Sequence, residues 1–389
     1  MLGLDFLFHY RQIKQFMQLY LTDLVDKLNH IYTPTLFICM ILITDTMKTV
    51  DINCFDLENP GLHRHLNTYC YTKGTISLLP HEEMPQSPEA WKIASQKYLT
   101  NQPNFLNAYL MVLGLLFMIP HFIWKMVCLG KNSYELYSFT ESAVSQSRLL
   151  DKELFSSINL LTAKFEQIMS VKQNLKNDIF DKVEKFLSYY IQIFTFNKKR
   201  GTWMISWYIL IKFLNIGICF FELFAMSSFV RIGNYTGESM YEIIFNVFTG
   251  KTNWRSTRMF PRTSYCYVDD FKVFGGNKEF VTQCILQGNT LMEKLFLSMY
   301  LWISILLVLT SLNTISWIYS ILFRKQSYIE RFFRKEDEKI DKEGLSLFCR
   351  EFLQSDGIFM IKMMQTHVND RFIEVFITSL YNSYKSKNK

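Results

Sequence analysis

The sequence predicts a mainly α-helical membrane protein, a bundle of four transmembrane helices with two outer loops and a helical cytoplasmic domain. Three observations predict this fold class. Long apolar stretches alternate with strongly charged segments. Of the segments between them, those predicted on one side of the membrane are rich in basic residues, and those predicted on the other side contain most of the prolines. Helix-breaking residues are also rare, with 8 prolines and 15 glycines in 389 residues.

Four apolar stretches divide the chain. A membrane-spanning helix needs about 20 mostly apolar residues. The second and fourth stretches exceed this length, whereas the unbroken apolar part of the first, "IYTPTLFICMILIT", is shorter. The predicted spans are residues 30–48 (span 1), 105–129 (span 2), 203–230 (span 3) and 295–323 (span 4). A soluble protein with large buried helices is the alternative, and the alternation with charged segments disfavours it.

The charged segments set the orientation. Lysine and arginine are dense in 130–202 and after span 4, and sparse in 50–104. The positive-inside rule therefore places both termini in the cytosol. The predicted segments are a cytoplasmic N-terminal segment (1–29), a first outer loop (49–104), a cytoplasmic helical loop (130–202), a second outer loop (231–294) and a cytoplasmic helical tail (324–389). The net charge of +7 then reflects orientation rather than nucleic-acid binding, because the basic residues flank spans and are interleaved with acidic ones.

The prolines support this division. Two lie within spans, Pro34 and Pro120, the others lie in the outer loops, and the cytosolic segments contain none. Continuous helices are therefore possible in those segments. Apolar residues also recur there at helical spacing. The first stripe is Leu154, Ile158, Leu161, Phe165 and Ile168, and the second is Leu175, Ile179, Val183 and Phe186. We interpret both as helices packing on one another beneath the membrane, in preference to a dedicated partner-binding helix.

Four of the eight cysteines lie in the outer loops, two in each. They are Cys54 and Cys70 in the first loop, and Cys266 and Cys284 in the second. Because the outer compartment is oxidising, we predict two disulfides. Three pairings are possible, and the residues alone leave them open. The alternatives are four free thiols or a zinc site, and zinc is disfavoured because neither loop has the close CxxC spacing of zinc sites.

Several stretches, in this order along the chain, resemble the innexins, the invertebrate gap-junction proteins, and their pannexin relatives. They are "DKLNHIYT" (26–33), "IPHFIWK" (119–125), "WRSTRMFPRTSYCYV" (254–268), "NTLMEKLFLSMYLW" (289–302), "SLNTISWIYSI" (311–321) and "DGIFMIKMM" (356–364). The resemblance covers nearly the whole chain. One place departs from the family. Innexins usually carry Tyr-Tyr-Gln-Trp-Val followed by proline at the start of span 2, whereas this chain reads "QPNFL" (102–106) followed by Asn107.

The resemblance implies a channel subunit that assembles in a ring. Such a ring would form a large-pore gap-junction channel or hemichannel in the plasma membrane at cell junctions, passing ions and small molecules. Its partners would be identical or other innexin subunits, membrane lipid, and a channel docked from the adjacent cell. No cofactor and no nucleic-acid partner is implied. The resemblance also implies that the outer loops are tied to each other, Cys54 with Cys284 and Cys70 with Cys266.

Span 1 supplies the candidate pore-lining residues. Thr35 and Cys39 are four residues apart and share a helical face, and Thr46 falls near that face three turns on. From the residues alone, hydroxyls that bond back to helix carbonyls and face neighbouring helices explain the pattern equally well, and the resemblance favours the pore. The resemblance implies that the N-terminal segment folds into the mouth of the pore. The alternative is an amphipathic helix that lies at the membrane surface.

Three further polar residues have expected roles. An unpaired charge at mid-membrane costs about 2.5–3.5 kcal/mol on insertion scales, so Lys212 and Glu222 of span 3 should face protein or water. Lys212 is expected to extend to the cytosolic interface, and Glu222 to make an interhelical hydrogen bond or to serve conduction. The sequon "NYT" makes Asn234 a candidate glycosylation site in the second outer loop.

The competing function is a four-span adhesion or scaffold protein that conducts nothing, for which the altered signature at 102–106 leaves room. A membrane enzyme is disfavoured. Three histidines of the first outer loop lie near glutamates but lack the HExxH spacing that places two histidines on one helical face. These are His63, His65 and His81. Neither a P-loop nor a nucleophile elbow occurs. We therefore predict no catalytic, cofactor-binding or metal-binding residues.

Overall fold

The computed structural model describes residues 22–47, 52–55, 63–78, 83–100, 102–129, 134–147, 151–174, 202–233, 242, 245, 260–273, 276–333 and 342–387. These residues are mainly helical, as predicted, and also contain a five-stranded sheet. The segment 1–21, Asn234 and the second apolar stripe lie outside the described residues, so the expectations placed on them stay predictions.

The α-helices carry most of the described chain. In chain order they are α1 (Leu24–Lys27), α2 (Thr33–Met47), α3 (His63–Lys73), α4 (Pro88–Tyr98), α5 (Gln102–Leu116), α6 (Ile119–Leu129), α7 (Tyr134–Gln146), α8 (Asp151–Asn174), α9 (Trp203–Gly233), α10 (Asn289–Phe323), α11 (Lys325–Phe333), α12 (Lys342–Leu347), α13 (Gln354–Gln365) and α14 (Asp370–Lys387). Two π-helical turns, Leu28–Tyr32 and Phe348–Leu353, join α1 to α2 and α12 to α13.

Three helical stretches among the described residues are long and apolar enough to cross a membrane. They are Leu106–Cys128, which runs through α5 and α6, Trp203–Ser228 in α9, and Leu291–Ile321 in α10. These stretches coincide with predicted spans 2, 3 and 4. The helix of predicted span 1, α2, has 15 residues, short of the roughly 20 that a crossing needs. The fourth span therefore stays a prediction.

The two prolines within spans mark changes in helix geometry. Proline has no N–H to donate to the carbonyl four residues before it. Pro120 therefore cannot bond to Leu116, where α5 ends before α6 begins at Ile119. Pro34 likewise cannot bond to His30, which lies in the π-helical turn before α2. Predicted span 2 is consequently two helices rather than one.

The described residues form two compact units. One, the helical unit, draws on Met1–Ile31, Met118–Ile216 and Val308–Lys389. The other, the sheet unit, draws on Tyr32–Phe117 and Gly217–Leu307.

The core of the helical unit joins helices of the segment predicted as the cytoplasmic loop to helices of the predicted tail. Phe165 of α8 contacts Phe139 of α7, with ring centroids 5.3 Å apart, and Phe376 of α14, at 5.8 Å. The buried members of the first apolar stripe are Ile158, Leu161, Phe165 and Ile168. The interpretation of this stripe as a packing face is therefore confirmed.

A tail residue also caps α9. The carboxylate of buried Asp356 accepts a hydrogen bond from the Ile205 amide, 3.2 Å away, in the first turn of α9. The first amides of a helix have no partner within the helix, and negative charge is favourable there. Gly357 follows, and a Cβ at this position would lie 2.9 Å from Met169 Cε of α8. The "DG" of the tail stretch thus joins α13 to both α8 and α9.

The sheet unit holds a structure that the sequence analysis did not predict. Its strands are β1 (Ile52–Cys54), β2 (Thr75–Ile76), β3 (Leu99–Thr100), β4 (Thr263–Val273) and β5 (Gly276–Leu286), paired antiparallel in the order β1-β5-β4-β2-β3. The hairpin β4–β5 forms the centre, and its register shifts between Val268 and Phe271. In β1, Cys54 lies directly opposite Cys284 of β5. Residues of both predicted outer loops therefore share one sheet.

Removing the Asp356 carboxylate should destabilise the helical unit. Asp356→Ala loses the cap of α9 and leaves the Ile205 amide without this partner, at an expected loss of about 1–2 kcal/mol. Asp356→Asn keeps an acceptor oxygen and should lose clearly less. Thermal unfolding of the purified protein in detergent measures both variants. Equal losses would contradict the capping role.

Candidate functional site

Helix α2 has one exposed face that carries all three candidate pore-lining residues. At about 100° per residue, Thr35, Cys39 and Thr46 lie within about 40° of one another around the helix, and all three are exposed. The buried residues of the helix lie on its other side and include Phe37, Met40 and Thr44. Thr35, Cys39 and Thr46 therefore form one strip, here called the exposed strip.

A hydroxyl group of α2 also bonds back to the helix. Thr46 Oγ1 donates to the Ile43 carbonyl at 2.8 Å. Thr46 makes this bond while its side chain stays exposed. A hydroxyl can therefore bond back to its own helix and still be exposed. The back-bond consequently does not distinguish a strip that lines a pore from one that faces neighbouring helices.

The buried face of α2 packs closely on α5. A Cβ at Gly114 would lie 3.1 Å from Phe37 Cβ, so the missing side chain lets the two helices approach. The Phe37 ring also contacts Phe117, with centroids 6.3 Å apart.

The departure from the innexin signature supplies a polar contact at the same face. Asn107, which stands in place of the usual proline, accepts a hydrogen bond from Thr44 Oγ1 at 2.5 Å. A second bond joins α2 to α10, since Trp302 Nε1 donates to Thr33 Oγ1 at 3.0 Å. Hydrogen bonds between membrane helices contribute about 0.6–2 kcal/mol each. At the place where the family signature is altered, Asn107 therefore makes a specific contact with α2.

A buried ionic cluster anchors α1. Lys212 Nζ of α9 lies 2.8 Å from Asp23 Oδ2 and 2.7 Å from Asp26 Oδ1. The two aspartates also cap α1 reciprocally, because each carboxylate accepts a hydrogen bond from the backbone amide of the other aspartate. Tyr208 donates to both carboxylates and Trp317 Nε1 donates to Asp23. Lys212 is fully buried and its ammonium contacts protein, so the expectation that it faces protein or water is confirmed. Its extension to the cytosolic interface stays a prediction.

The pKa values of the two aspartates in this cluster are shifted in opposite directions. Burial raises the pKa of Asp23, but the Lys212 ammonium and the hydrogen bonds lower it more, to about 2. For Asp26, burial outweighs the same ammonium and the pKa is raised. Burial and the shared ammonium therefore shift the two pKa values apart. Because its pKa lies below the ordinary 3.8, Asp23 stabilises the fold above about pH 4, and this contribution is lost as the pH falls towards 2.

Four of the six stretches that carry the innexin resemblance meet in this cluster. The ring of Tyr208 lies 5.4 Å from Trp124, 5.1 Å from Trp317 and 5.1 Å from Phe359, centroid to centroid. These rings come from "IPHFIWK", "SLNTISWIYSI" and "DGIFMIKMM", and Asp26 comes from "DKLNHIYT". Buried aromatic pairs of this kind add about 0.5–1.5 kcal/mol each beyond area burial.

The interhelical hydrogen bond, one of the two roles expected for Glu222, is not found among the residues that the structure describes. The Glu222 side chain is fully buried in α9, and neither carboxyl oxygen has a hydrogen-bond partner among the described residues.

Two disulfides close the sheet unit. Cys54–Cys284 joins β1 to β5, and Cys70–Cys266 joins α3 to β4. This is the pairing that the innexin resemblance implies, and it links the two predicted outer loops. All four cysteines are fully buried. Because their sulfurs are bonded in pairs, they offer no thiolates to zinc.

Helices long and apolar enough to cross a membrane and a sheet tied by two disulfides are the features of a membrane protein whose two predicted outer loops fold together. A family model described as "Innexin" matches residues 22–384, and the chain belongs to the innexin family. Among its relatives, Innexin unc-9 of Caenorhabditis elegans is 23% identical, covering 93% of this chain and 92% of that protein. Innexin-19 of Caenorhabditis briggsae is 23% identical, covering 94% and 87% respectively. Family membership implies a subunit of a gap-junction channel in the plasma membrane, a channel protein rather than an enzyme.

Removing Lys212 should be strongly destabilising. Lys212→Met leaves the buried carboxylates without their cation, and breaking a buried ion pair in this way costs about 3–5 kcal/mol. Combining it with Asp23→Asn should recover part of the loss, because the uncompensated charge is removed. Thermal unfolding in detergent measures the series, with exposed Lys164→Met of α8 as the control. A loss in Lys212→Met no larger than in the control would contradict the anchoring role.

The contact between Thr44 and Asn107 should appear as a coupling energy. Thr44→Val and Asn107→Leu each remove one partner, and their double-mutant cycle should give a coupling of about 0.5–1.5 kcal/mol. Stability measurements of the two single variants and the double variant in detergent provide the cycle. Additive losses would show that the two side chains do not stabilise α2 through each other.

Proposed function

We propose that the chain is a subunit of a large-pore gap-junction channel or hemichannel that passes ions and small molecules. The observation that carries the proposal is the exposed strip of Thr35, Cys39 and Thr46 on α2, in a chain of the innexin family. A pore through a ring of subunits needs each subunit to present polar groups to the central water. Hydroxyl and thiol groups on one helical face meet that need without placing charge in the membrane.

The proposal includes four spans with both termini in the cytosol. The chain is helical without interruption from Leu24 to Met47, which lengthens the helix of predicted span 1 at its cytosolic end. This run begins at the ionic cluster, where Asp23 and Asp26 find a buried cation. Charged residues at the start of the run and apolar residues after it are compatible with a helix that enters the membrane.

The proposed ring contains identical or other innexin subunits. Large apolar side chains are exposed on α9 and α10 of the isolated chain. They include Phe220, Phe221, Phe224, Ile305, Leu312 and Ile315. Lipid and neighbouring subunits are the surroundings that such side chains require. Docking to a channel of the adjacent cell would involve the sheet unit, to which both outer loops contribute.

Electrical recording tests the proposal directly. Current between paired cells that express the chain, lost in Cys70→Ser, is expected for a gap-junction channel that needs its outer disulfides. Current across single-cell membranes alone would favour a hemichannel. Absence of both, with surface expression confirmed, would contradict a homomeric channel and leave an obligate heteromer or the non-conducting adhesion role.

Thiol modification tests the pore strip itself. A charged, water-soluble methanethiosulfonate should reduce the current through its reaction with Cys39, and Cys39→Ser should abolish this inhibition. In the Cys39→Ser background, Thr35→Cys and Thr46→Cys should restore it, because both positions share the exposed strip.

The buried face of α2 gives the matched control for this experiment. Met40→Cys in the same Cys39→Ser background should stay insensitive, because Met40 is only 3% exposed. Conducting channels in which Met40→Cys reacts and Thr35→Cys does not would place the pore on a different face and overturn the assignment.

A further inference from the structure

Three sulfur atoms of the sheet unit lie together although they belong to two disulfides. The Sγ atoms of Cys54, Cys70 and Cys284 are all within 4.8 Å of one another. Cys54 and Cys284 form one bond, and Cys70 is bonded to Cys266. Cys266 is not a member of this group of three. One disulfide therefore has a sulfur of the other beside it, and the arrangement is asymmetric.

The position of Cys70 is held by contacts other than its own disulfide. On the same helix, α3, the Asn67 side chain accepts a hydrogen bond from the Cys54 amide of β1, at 3.0 Å. Lys73 forms an ion pair with Asp269 of β4, and Tyr69 donates to the same carboxylate at 2.9 Å. These contacts join α3 to β1 and β4 independently of the Cys70–Cys266 bond. Cys70 is therefore expected to stay beside Cys54 and Cys284 when that bond opens.

We propose that Cys54, Cys70 and Cys284 form a thiol–disulfide exchange site that responds to an extracellular dithiol. The dithiol reduces Cys70–Cys266 and is itself oxidised to a disulfide, leaving two thiols on the chain. The Cys70 thiolate then attacks one sulfur of Cys54–Cys284. A new bond forms between Cys70 and the attacked cysteine, the old bond breaks, and the other cysteine leaves as a thiolate. The number of disulfides is unchanged in this second step.

Burial favours this internal route over attack by an outside thiol. All four cysteines are fully buried, so every attack by the reductant, including the first on Cys70–Cys266, needs the sheet unit to open, whereas the internal attack by Cys70 needs no second opening. Cys70 is already beside the bond, and a nucleophile held in place reacts as if present at very high concentration. The sheet unit consequently keeps one disulfide under mild reduction, with its pairing changed.

The two possible products differ in what they leave joined. Attack on Cys284 gives Cys70–Cys284, which still ties the first outer loop to the second. Attack on Cys54 gives Cys54–Cys70, which lies within the first loop and leaves the loops without a covalent tie. In either product the disulfide between β1 and β5 is lost.

Two single variants form a matched pair that tests the proposal. In Cys266→Ser the unpaired Cys70 lies beside the other disulfide, whereas in Cys70→Ser the unpaired cysteine is Cys266, which is outside the group of three. Membranes containing each full-length variant are alkylated with iodoacetamide under denaturing, non-reducing conditions. Mass spectrometry of the peptides then identifies the disulfides.

Cys266→Ser should yield peptides joining Cys70 to Cys54 or Cys284. They should exceed the Cys266-linked peptides of Cys70→Ser by about tenfold or more, because Cys70, unlike Cys266, belongs to the group whose sulfurs all lie within 4.8 Å of one another. In Cys70→Ser, Cys54–Cys284 should stay intact and Cys266 should be alkylated. An alkylated Cys70 with intact Cys54–Cys284 in the first variant would overturn the proposal.

A second experiment on the natural chain decides the matter if Cys266→Ser does not reach the membrane. Membranes are treated briefly with limiting dithiothreitol, quenched with acid and mapped in the same way. Peptides joining Cys70 to Cys54 or Cys284 should appear while disulfides are still present, and faster at higher pH because the thiolate is the attacking species. Partial reduction that yields only native pairs and free thiols would overturn the proposal.

Discussion

The buried ammonium of Lys212 is the constraint on which the helical unit depends. A buried cation needs negatively charged or polar partners. Here the partners are the carboxylates of Asp23, which lies 189 residues earlier in the chain, and of Asp26. Both carboxylates are fixed in turn by the capping of α1 and by donors from α9 and α10. Loss of any one member would leave buried charge or unpaired hydrogen-bonding groups. This dependence explains why aromatic rings from three distant stretches pack tightly around the same place.

Local patterns predicted the elements of this fold better than their long-range contacts. Apolar length predicted the helices around spans 2, 3 and 4, and the spacing of Ile158, Leu161 and Phe165 predicted a packing face. The pairing of Lys212 could not be predicted in this way, because helical spacing does not indicate which distant residue meets a buried charge. Two local signals in the sequence do indicate parts of this structure: the capping spacing of Asp23 and Asp26, and the alternating aromatic residues of "TSYCYVDDFKV" in β4.

The helix contacts of α2 show how a divergent family member keeps a specific interface. The place where innexins usually have proline holds Asn107, whose amide oxygen takes a hydrogen bond from Thr44. A hydrogen bond between helices is directional, and close packing of Gly114 on Phe37 is selective for shape. Together they specify how α2 lies on α5 without the usual signature. Sequence comparison alone identifies the departure, while the side-chain contact shows what stands in its place.

The disulfides of the sheet unit also impose an order on biosynthesis. Their partners are 230 and 196 residues apart, and the central hairpin β4–β5 comes just before α10. During synthesis, β1 and α3 are therefore complete long before the strands that receive them have been made. Long-range strand pairing of this kind is slow because the intervening chain must close first. On the proposed topology, Cys54 and Cys70 therefore stand in the lumen of the secretory pathway without their final partners until the second outer loop is made, and quality control in that compartment has a long interval in which to act on them.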